Sequence, residues 1–576
     1  MIKQICKSCT KEFEIEGDDL AFYEQMKVGT PSFCPGCRLK QRLLWRNEKS
    51  LYHRECDLCK KKIISIYSTD KPYVVYCREC FHSDEWDPLS FGIDIDFSRP
   101  FLEQFHELQL KVPRISSFVF QNTSSEYVNG AAYNKNCYMI FRSDSNEDLM
   151  FSYSTSNSRS SSDLLNCSEC DMCYDSIGCS KCYQVLFSED CSTSQNLILC
   201  KNCINCQDCV GCVNLHNVRY AIFNVMYTKE EYLEKIKELG LESRTNLNEL
   251  RGKLKDFQIR FPVKYLHGLN NINVTGDYVS NSKNARVAFD SAELEDSKFI
   301  NHGDHAKSSY DSYVLVDKSE RSYNVVSGIA LNNVLSGNCI WHGYDISYSD
   351  TCENSHNLFG CVGLKKKEYC ILNKQYTKEE YEELVPKIID NMKNIHLNDD
   401  KVSYVYGDPL PGSFSPFSYN ETVAHEYFPS TKLRVESMGL KWKETEDKKY
   451  ETTVEGGSTP DEIKSVEDSI TKEIIACAHK NSCTHQCTNA FKITADELNL
   501  YRRLNIPLPV LCFNCRNGER ITKRNPCKLW LRSCMCTIEN HHSHPGSQCQ
   551  EEFETSYSPE RKEIVYCEQC YQQEVL

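Results

Sequence analysis

The sequence predicts a mainly β protein, with two parallel β-helix-like arms flanked by duplicated zinc-ribbon modules and joined by short helices. Three observations predict it. The two ends of the chain are copies of each other, the middle is a second duplication, and apolar clusters in the middle recur too closely for strand–helix units.

The ends align at an offset of 478 residues: Cys9, Cys34, Cys37, Arg38, Arg42, Arg46 and Cys56 fall on Cys487, Cys512, Cys515, Arg516, Arg520, Arg524 and Cys534. A twelve-residue insertion then raises the offset to 490, and Cys59, Cys77 and Cys80 fall on Cys549, Cys567 and Cys570. Paired C-x2-C hooks place two thiolates on each side of a tetrahedral ion, the strong form of the zinc signal. Cys6, Cys9, Cys34 and Cys37 form a first set, and Cys56, Cys59, Cys77 and Cys80 a second. Cys483, Cys487, Cys512 and Cys515 form a third, with C-x3-C on its first hook. Register nominates Cys534, Cys549, Cys567 and Cys570 as the fourth, although the insertion also supplies Cys536, His541, His542 and His544, any of which could displace Cys534 or bind a further ion. Four thiolates leave no open position for water or substrate, so the expectation is about four structural zinc ions. Disulfides or plain buried thiols are the competing reading.

The central copies align at offsets of 148 and 149 residues: Asn136, Phe141 and Phe151 match Asn284, Phe289 and Phe299, and Tyr227 to Tyr232 match Tyr376 to Tyr381. Each copy ends in a capping-box helix start, Thr228 with Glu231 and Thr377 with Glu380. Within each arm apolar clusters recur about every 10 to 15 residues, separated by Ser, Asn, Asp and Gly, which reads as stacked short strands with two or so per rung. An antiparallel sandwich is the alternative, and it would need regular hairpin signals where only Val128-Asn129-Gly130 offers one.

The run Cys200, Cys203, Cys206, Cys209, Cys212 invites an iron–sulfur or redox reading. The sister copy places Ser349, Cys352, Ser355, Leu358 and Cys361 there, which favours small side chains filling an interior. His302, Asp304 and His305 are a weaker metal candidate, and Asp84, Asp87, Asp94 and Asp96 cluster without a catalytic partner. There is no nucleophile elbow, Walker loop or dinucleotide fingerprint, so no catalytic residue is assigned and the chain reads more as a binding protein than an enzyme.

Domain order follows: a tandem zinc-ribbon module over 1–110, a first arm over 111–226, a helical connector over 227–260 and a second arm over 261–375. A helix and Pro-rich extended segment follow over 376–440, then a charged linker over 441–475 and the C-terminal tandem module over 476–576. The start MIKQICKSCT has no apolar signal region, no run approaches a membrane span, and zinc spacing replaces a disulfide framework, so a cytoplasmic chain is expected. The net charge of -14 speaks against a wholesale nucleic-acid coat.

Arg38, Arg42 and Arg46 share one helix face directly after a zinc hook, as do Arg516, Arg520 and Arg524. They would donate to the thiolates, pair with acidic neighbours inside the module, or grip phosphates. The last reading expects RNA or a ribosomal surface as partner; a protein meeting the arms is the alternative.

With these residues identified, the chain resembles a family of large cysteine-rich zinc-ribbon proteins of candidate-phyla bacteria. The resemblance rests on CPGCRLKQR, DFSRPFLEQF, KYLHGLNNINVTGDYVSNSKNA, NKQYTKEEY, SPFSYNETVAHEYFP, IPLPVLCFNCRNGER and FETSYSPERKEIVYCEQCY, and spans nearly the whole chain. It implies structural zinc and no mechanism. Members sometimes carry a class III CoA-transferase label, but these residues show repeats and closed zinc sites in place of an α/β domain with a catalytic aspartate.

Overall fold

The computed structural model describes every residue except 317–318, 330, 400–401, 445–449, 481, 540–543, 545 and 576. It is strand-rich, with helices at the joints between regions.

In the first arm each short strand pairs in parallel with the segment twelve residues further on: Val119 with Ala131, Glu147 with Arg159, Tyr153 with Leu165, Gln195 with Gln207, and Gln207 with Arg219. Single bridges fill the intervals at the same spacing, as for Thr123 with Lys135 and Ser192 with Ile204. The second arm repeats the pattern through Gly276 with Ala288, Lys298 with Tyr310, and His356 with Glu368. One step shortens to eleven residues (Gly268 with Val279) and one lengthens to thirteen (Tyr310 with Tyr323). Parallel pairing excludes the antiparallel sandwich for these ladders. The twelve-residue pairing step falls within the interval of about 10 to 15 residues between apolar clusters.

The backbone shows the same regularity. From Gln121 to Phe223 every third residue has positive φ, mostly near +50°, so the chain bends after each triplet. Asn and Asp adopt this conformation most readily among residues with a side chain, and they occupy many of the bends, including Asn136, Asp148, Asp175, Asn202, Asn205 and Asp208. The residue after each bend faces inward, as Cys203, Cys206 and Cys209 do. The inward positions are mostly Cys, Ser, Ala, Val and Leu, with Ile140, Thr155 and the asparagines Asn134 and Asn146 at the early turns. Interior serines also complete the ladder: the Ser152 and Ser188 hydroxyls accept the N–H groups of Leu164 and Cys200, one repeat on, at 3.1 and 3.0 Å.

Each ladder ends in a small antiparallel hairpin, Arg219–Ile222 with Val225–Met226 and Glu368–Ile371 with Lys374–Gln375. A capping-box helix follows, Lys229–Leu239 or Lys378–Asn394, as the Thr and Glu spacing predicts. At the other end the strand leading into each arm pairs in parallel with a cysteine module: Arg114–Ile115 with Val75–Tyr76, and Pro262–Lys264 with Ile564–Tyr566. These pairings tie the entry to each arm to a cysteine module.

Both ends of the chain pack onto the arms, and they do so crosswise. Phe22, Tyr23 and Leu43 of the first module share a core with Tyr310, Tyr313 and Tyr323 of the second arm. Tyr501, Leu500 and Phe513 of the C-terminal end pack on Tyr174, Phe141 and Leu165 of the first arm. Where an extended segment is expected, residues 411–428 are packed but turn repeatedly, through the 3-10 turns Gly412–Phe414 and Tyr419–Glu421 and the short helix Val423–Tyr427, with Phe417 stacked on Tyr67. Gly360 lies where the Phe101–Lys111 helix presses on the second arm; its φ is +66°, and an added Cβ would sit 2.4 Å from the Phe101 ring.

The expected linker over 441–475 is corrected for the residues described. Ile463, Val466 and Ile470 are buried in the core that holds Leu247, Leu250 and Leu498, and Arg244 donates to the carbonyls of Thr459 and Pro460. Three apolar residues at this spacing are too sparse to mark the stretch as ordered by composition, yet they suffice to strap it against a helix.

Candidate metal centres and their anchoring

The four cysteine modules share one plan. A hairpin strand ends at the first cysteine, a tight turn presents the second in the first two modules and a longer stretch does so in the last two, and a helix begins at the second hook. The hairpins are Ile2–Ile5 with Glu12–Ile15, Tyr52–Glu55 with Lys62–Ser65, Ile475–Ala476 with Ala490–Phe491, and Trp530–Ser533 with Glu552–Thr555. In all four the first Sγ accepts the backbone N–H that opens the second hook: Cys6 from Cys34 at 3.2 Å, Cys56 from Cys77 at 3.2 Å, Cys477 from Cys512 at 3.3 Å, and Cys534 from Cys567 at 3.2 Å. Such N–H···S bonds, with Cys34, Cys77 and Cys512 at helix N-caps, favour thiolate and therefore metal. In the first module the Cys37 thiol donating to Cys34 brings Cys34 down to about 5. In the second, burial opposes ionisation, yet the N–H groups of Cys77, Cys59 and Leu58 bring Cys56 to about 7.

The ligand atoms of Cys6, Cys9, Cys34 and Cys37 lie within 4.8 Å of one another, as do those of Cys56, Cys59, Cys77 and Cys80, and of Cys534, Cys549, Cys567 and Cys570. These groups could hold metal ions, as the spacing predicts. The register choice of Cys534 over Cys536 agrees with the geometry: Cys536 is buried outside the tetrad, beside Tyr566. His541 and His542 lie outside the described residues, and His544 Nδ1 contacts the Gly546 carbonyl at 3.0 Å.

The third set differs from expectation. Its tetrad is Cys477, Cys487, Cys512 and Cys515, and Cys483 is not among them. Cys477 ends the strand Ile475–Ala476, the position that Cys6 holds after Ile2–Ile5, whereas Cys483 rides on extra residues between the two cysteines of the hook. The signal was the apolar strand end before the cysteine, IIAC beside KQIC, and the nearer cysteine hid it. Cys483 gathers instead with His479, His485 and Cys515.

The arginine stripes are not an outer surface. Arg38, Arg42 and Arg520 are at most 2% exposed, and Arg46 and Arg516 are buried. Arg38 Nε and Arg42 Nη1 each meet one oxygen of Asp311 at 2.9 Å, across to the second arm. Arg516 Nε and Arg520 Nη2 meet Asp163 at 3.1 and 2.8 Å, across to the first arm. Asp163 and Asp311 are equivalent under the 148-residue offset, and so are Phe151 and Phe299, over which Arg516 and Arg38 stack at 4.9 and 5.0 Å. The third arginine of each stripe completes the lock differently. Arg524 pairs with Asp290, whereas Arg142 stands at the equivalent place in the first arm, and Arg46 pairs with the buried Glu48 at 3.2 Å. The expected phosphate contact is thereby corrected: a helix face that docks a hydrophobic ladder buries its cations, and the ladder supplies the carboxylates.

The cysteine run of the first arm is part of the twelve-residue interior. Cys200 Sγ donates to the Ile198 and Cys209 carbonyls at 3.5 Å, and Cys203 to those of Lys201 and Cys212 at 3.6 Å, one bond within the turn and one to the next. At the sister position Ser349 makes the same kind of bond to Ser347. Cys200→Ser should therefore change stability by about 1 kcal/mol or less and leave the metal content unchanged, whereas Cys34→Ser should lower it by one ion. Elemental analysis of the two variants checks this. His302 and His305 diverge: His302 is buried against Tyr427, and His305 is exposed beside Glu293. Asp87 caps a 3-10 turn and Asp94 pairs with Lys374, so the acidic cluster is structural.

No protein-family model matches the chain, and no curated protein matches it. Among solved structures, similarity is found to a protein from Desulfovibrio desulfuricans G20 whose crystal structure carries an acetyltransferase assignment. That match has 8% identity over 50% of this chain and 76% of the other, with a TM-score of 0.09. A score so low carries no argument about fold or activity. No helix among the described residues is long and apolar enough to cross a membrane.

Proposed function

We propose that the protein is a non-catalytic, zinc-stabilised scaffold that offers the outer faces of two rigid arms to a macromolecular partner. In this reading each arm is a parallel β-helix of twelve-residue turns, and the four tetrathiolate modules hold structural zinc. The carrying observation is the closure of the four cysteine tetrads, each with its first thiolate bonded to the N–H that opens the second hook. Closed thiolate sites stabilise small modules and leave no coordination position for substrate. The modules in turn lock both arms through Asp311 and Asp163.

The partner in this reading is RNA or a protein, met by the outer corners of the arms. Paired polar stacks run along these corners: Asn196 with Asp208 and Asn205 with Asn217 in the first arm, and Asn284 with Asp296 and Asn333 with Asp345 in the second. A repetitive face of this kind suits a repetitive partner. The test is zinc analysis of the purified chain together with cross-linking and sequencing of bound RNA and mass spectrometry of bound protein. Four or more zinc ions per chain and a salt-insensitive protein partner support the reading. Bound RNA released steeply by salt would identify phosphate as the contact, through cations other than the six stripe arginines. Turnover of a small substrate by the zinc-loaded chain would overturn it.

A further inference from the structure

We infer that the third cysteine module is a two-ion centre, in which the Cys515 thiolate bridges a tetrathiolate zinc and a second ion held by His479, Cys483 and His485. The proposal rests on the structural-zinc reading above and extends it. Two ligand groups share Cys515: Cys477, Cys487, Cys512 and Cys515 on one side, and His479, Cys483, His485 and Cys515 on the other, each with its ligand atoms within 4.8 Å of one another. Cys477 and Cys483 approach Cys515 from the two sides, at 3.8 and 3.6 Å.

The added ligands come from one sequence change. The first and second modules use C-x2-C on the first hook, and the third stretches this to nine residues between Cys477 and Cys487. The extra length carries His479, Cys483 and His485, three side chains of zinc-binding type placed around a thiolate that already existed. The surroundings are fitted to them. His479 turns Nε2 toward Glu519 at 3.4 Å and leaves a buried Nδ1 without a hydrogen-bond partner, and the Nδ1 of His485 is likewise buried and unpartnered. A histidine held by a carboxylate on one nitrogen and free on the other is the usual metal-ligand arrangement. The His485 ring lies over Gly518, where an added Cβ would come within 2.4 Å; the first module has Lys40 at the equivalent place and no histidine loop.

Charge also favours the arrangement. Five thiolates and two neutral imidazoles around two dications leave one net negative charge, against two for an isolated tetrathiolate centre, and the sites on both sides of Cys515 are four-coordinate and closed. With zinc–sulfur bonds of about 2.3 Å to a shared sulfur, the two ions lie no more than roughly 4.6 Å apart.

The test uses the full-length chain loaded with zinc, and with cadmium for spectroscopy. Five zinc ions per chain are expected. His485→Ala and Cys483→Ala should each bring this to four, with the circular dichroism of the folded chain unchanged. Gly518→Val, which leaves every ligand in place, should also drop one ion. Cadmium-113 spectra should show two mutually coupled signals, lost in Cys483→Ala. A wild-type content of four, or five retained in both ligand variants, overturns the bridged centre and leaves the tetrathiolate reading standing. A content near zero removes both.

Discussion

Chelating the metal from the purified chain should unfold both ends and turn the remainder into an associating, strand-rich species. Each closed site contributes on the order of 10 kcal/mol to the fold of its module, far more than the thin cores of these modules supply. Loss of the first and third modules uncovers the aromatic faces they cover, Tyr310, Tyr313 and Tyr323 on one arm and Phe141, Leu165 and Tyr174 on the other. Loss of the second and fourth frees the strands Arg114–Ile115 and Pro262–Lys264 from their partners. The far-ultraviolet β signal should persist while light scattering rises, and zinc added before scattering develops should reverse both. A monomeric chain with unchanged thermal stability after complete metal removal would contradict the structural role.

Replacing Asp311 by alanine should be nearly as damaging. This carboxylate answers the buried Arg38 and Arg42, and removing it leaves both uncompensated, at about 3–5 kcal/mol. Asp163→Ala should cost less in urea denaturation, because Arg516 still meets Glu497 and Arg520 still meets Asp175, and metal content should be retained in both variants that still fold. Arg42→Glu with Arg520→Glu would destabilise through the same pairs, so lost binding by that double variant would report a broken lock and say nothing about phosphate.

Much of this architecture is legible in the sequence, because duplication repeats it. The offsets of 478 and 490 residues identify three of the four tetrads, and the 148-residue offset finds both arms. What was hidden has physical causes. A period of three places C-x2-C along the first arm as well as in the modules, so Cys200 to Cys212 imitate ligands while lining an interior. The twelve-residue pairing step was obscured because bends at every third residue interrupt the strands and leave only short apolar clusters. The arginines reveal a shared face but not its partner, since Asp311 stands 273 residues from Arg38 in sequence. Cys477 was masked by Cys483, which keeps a familiar spacing for another purpose.

The crossed docking also fixes an order of events during synthesis. The first arm emerges with Asp163 in its ladder, but Arg516 and Arg520 lie some 350 residues further on, a wait of roughly 20–70 s at ordinary elongation rates. The strand Pro262–Lys264 waits similarly for Ile564–Tyr566. Until residues 476–576 are made, the two ladders therefore stand with Asp163 and Asp290 unanswered by their arginines and the strand Pro262–Lys264 unpaired, and that one stretch of chain closes all three gaps.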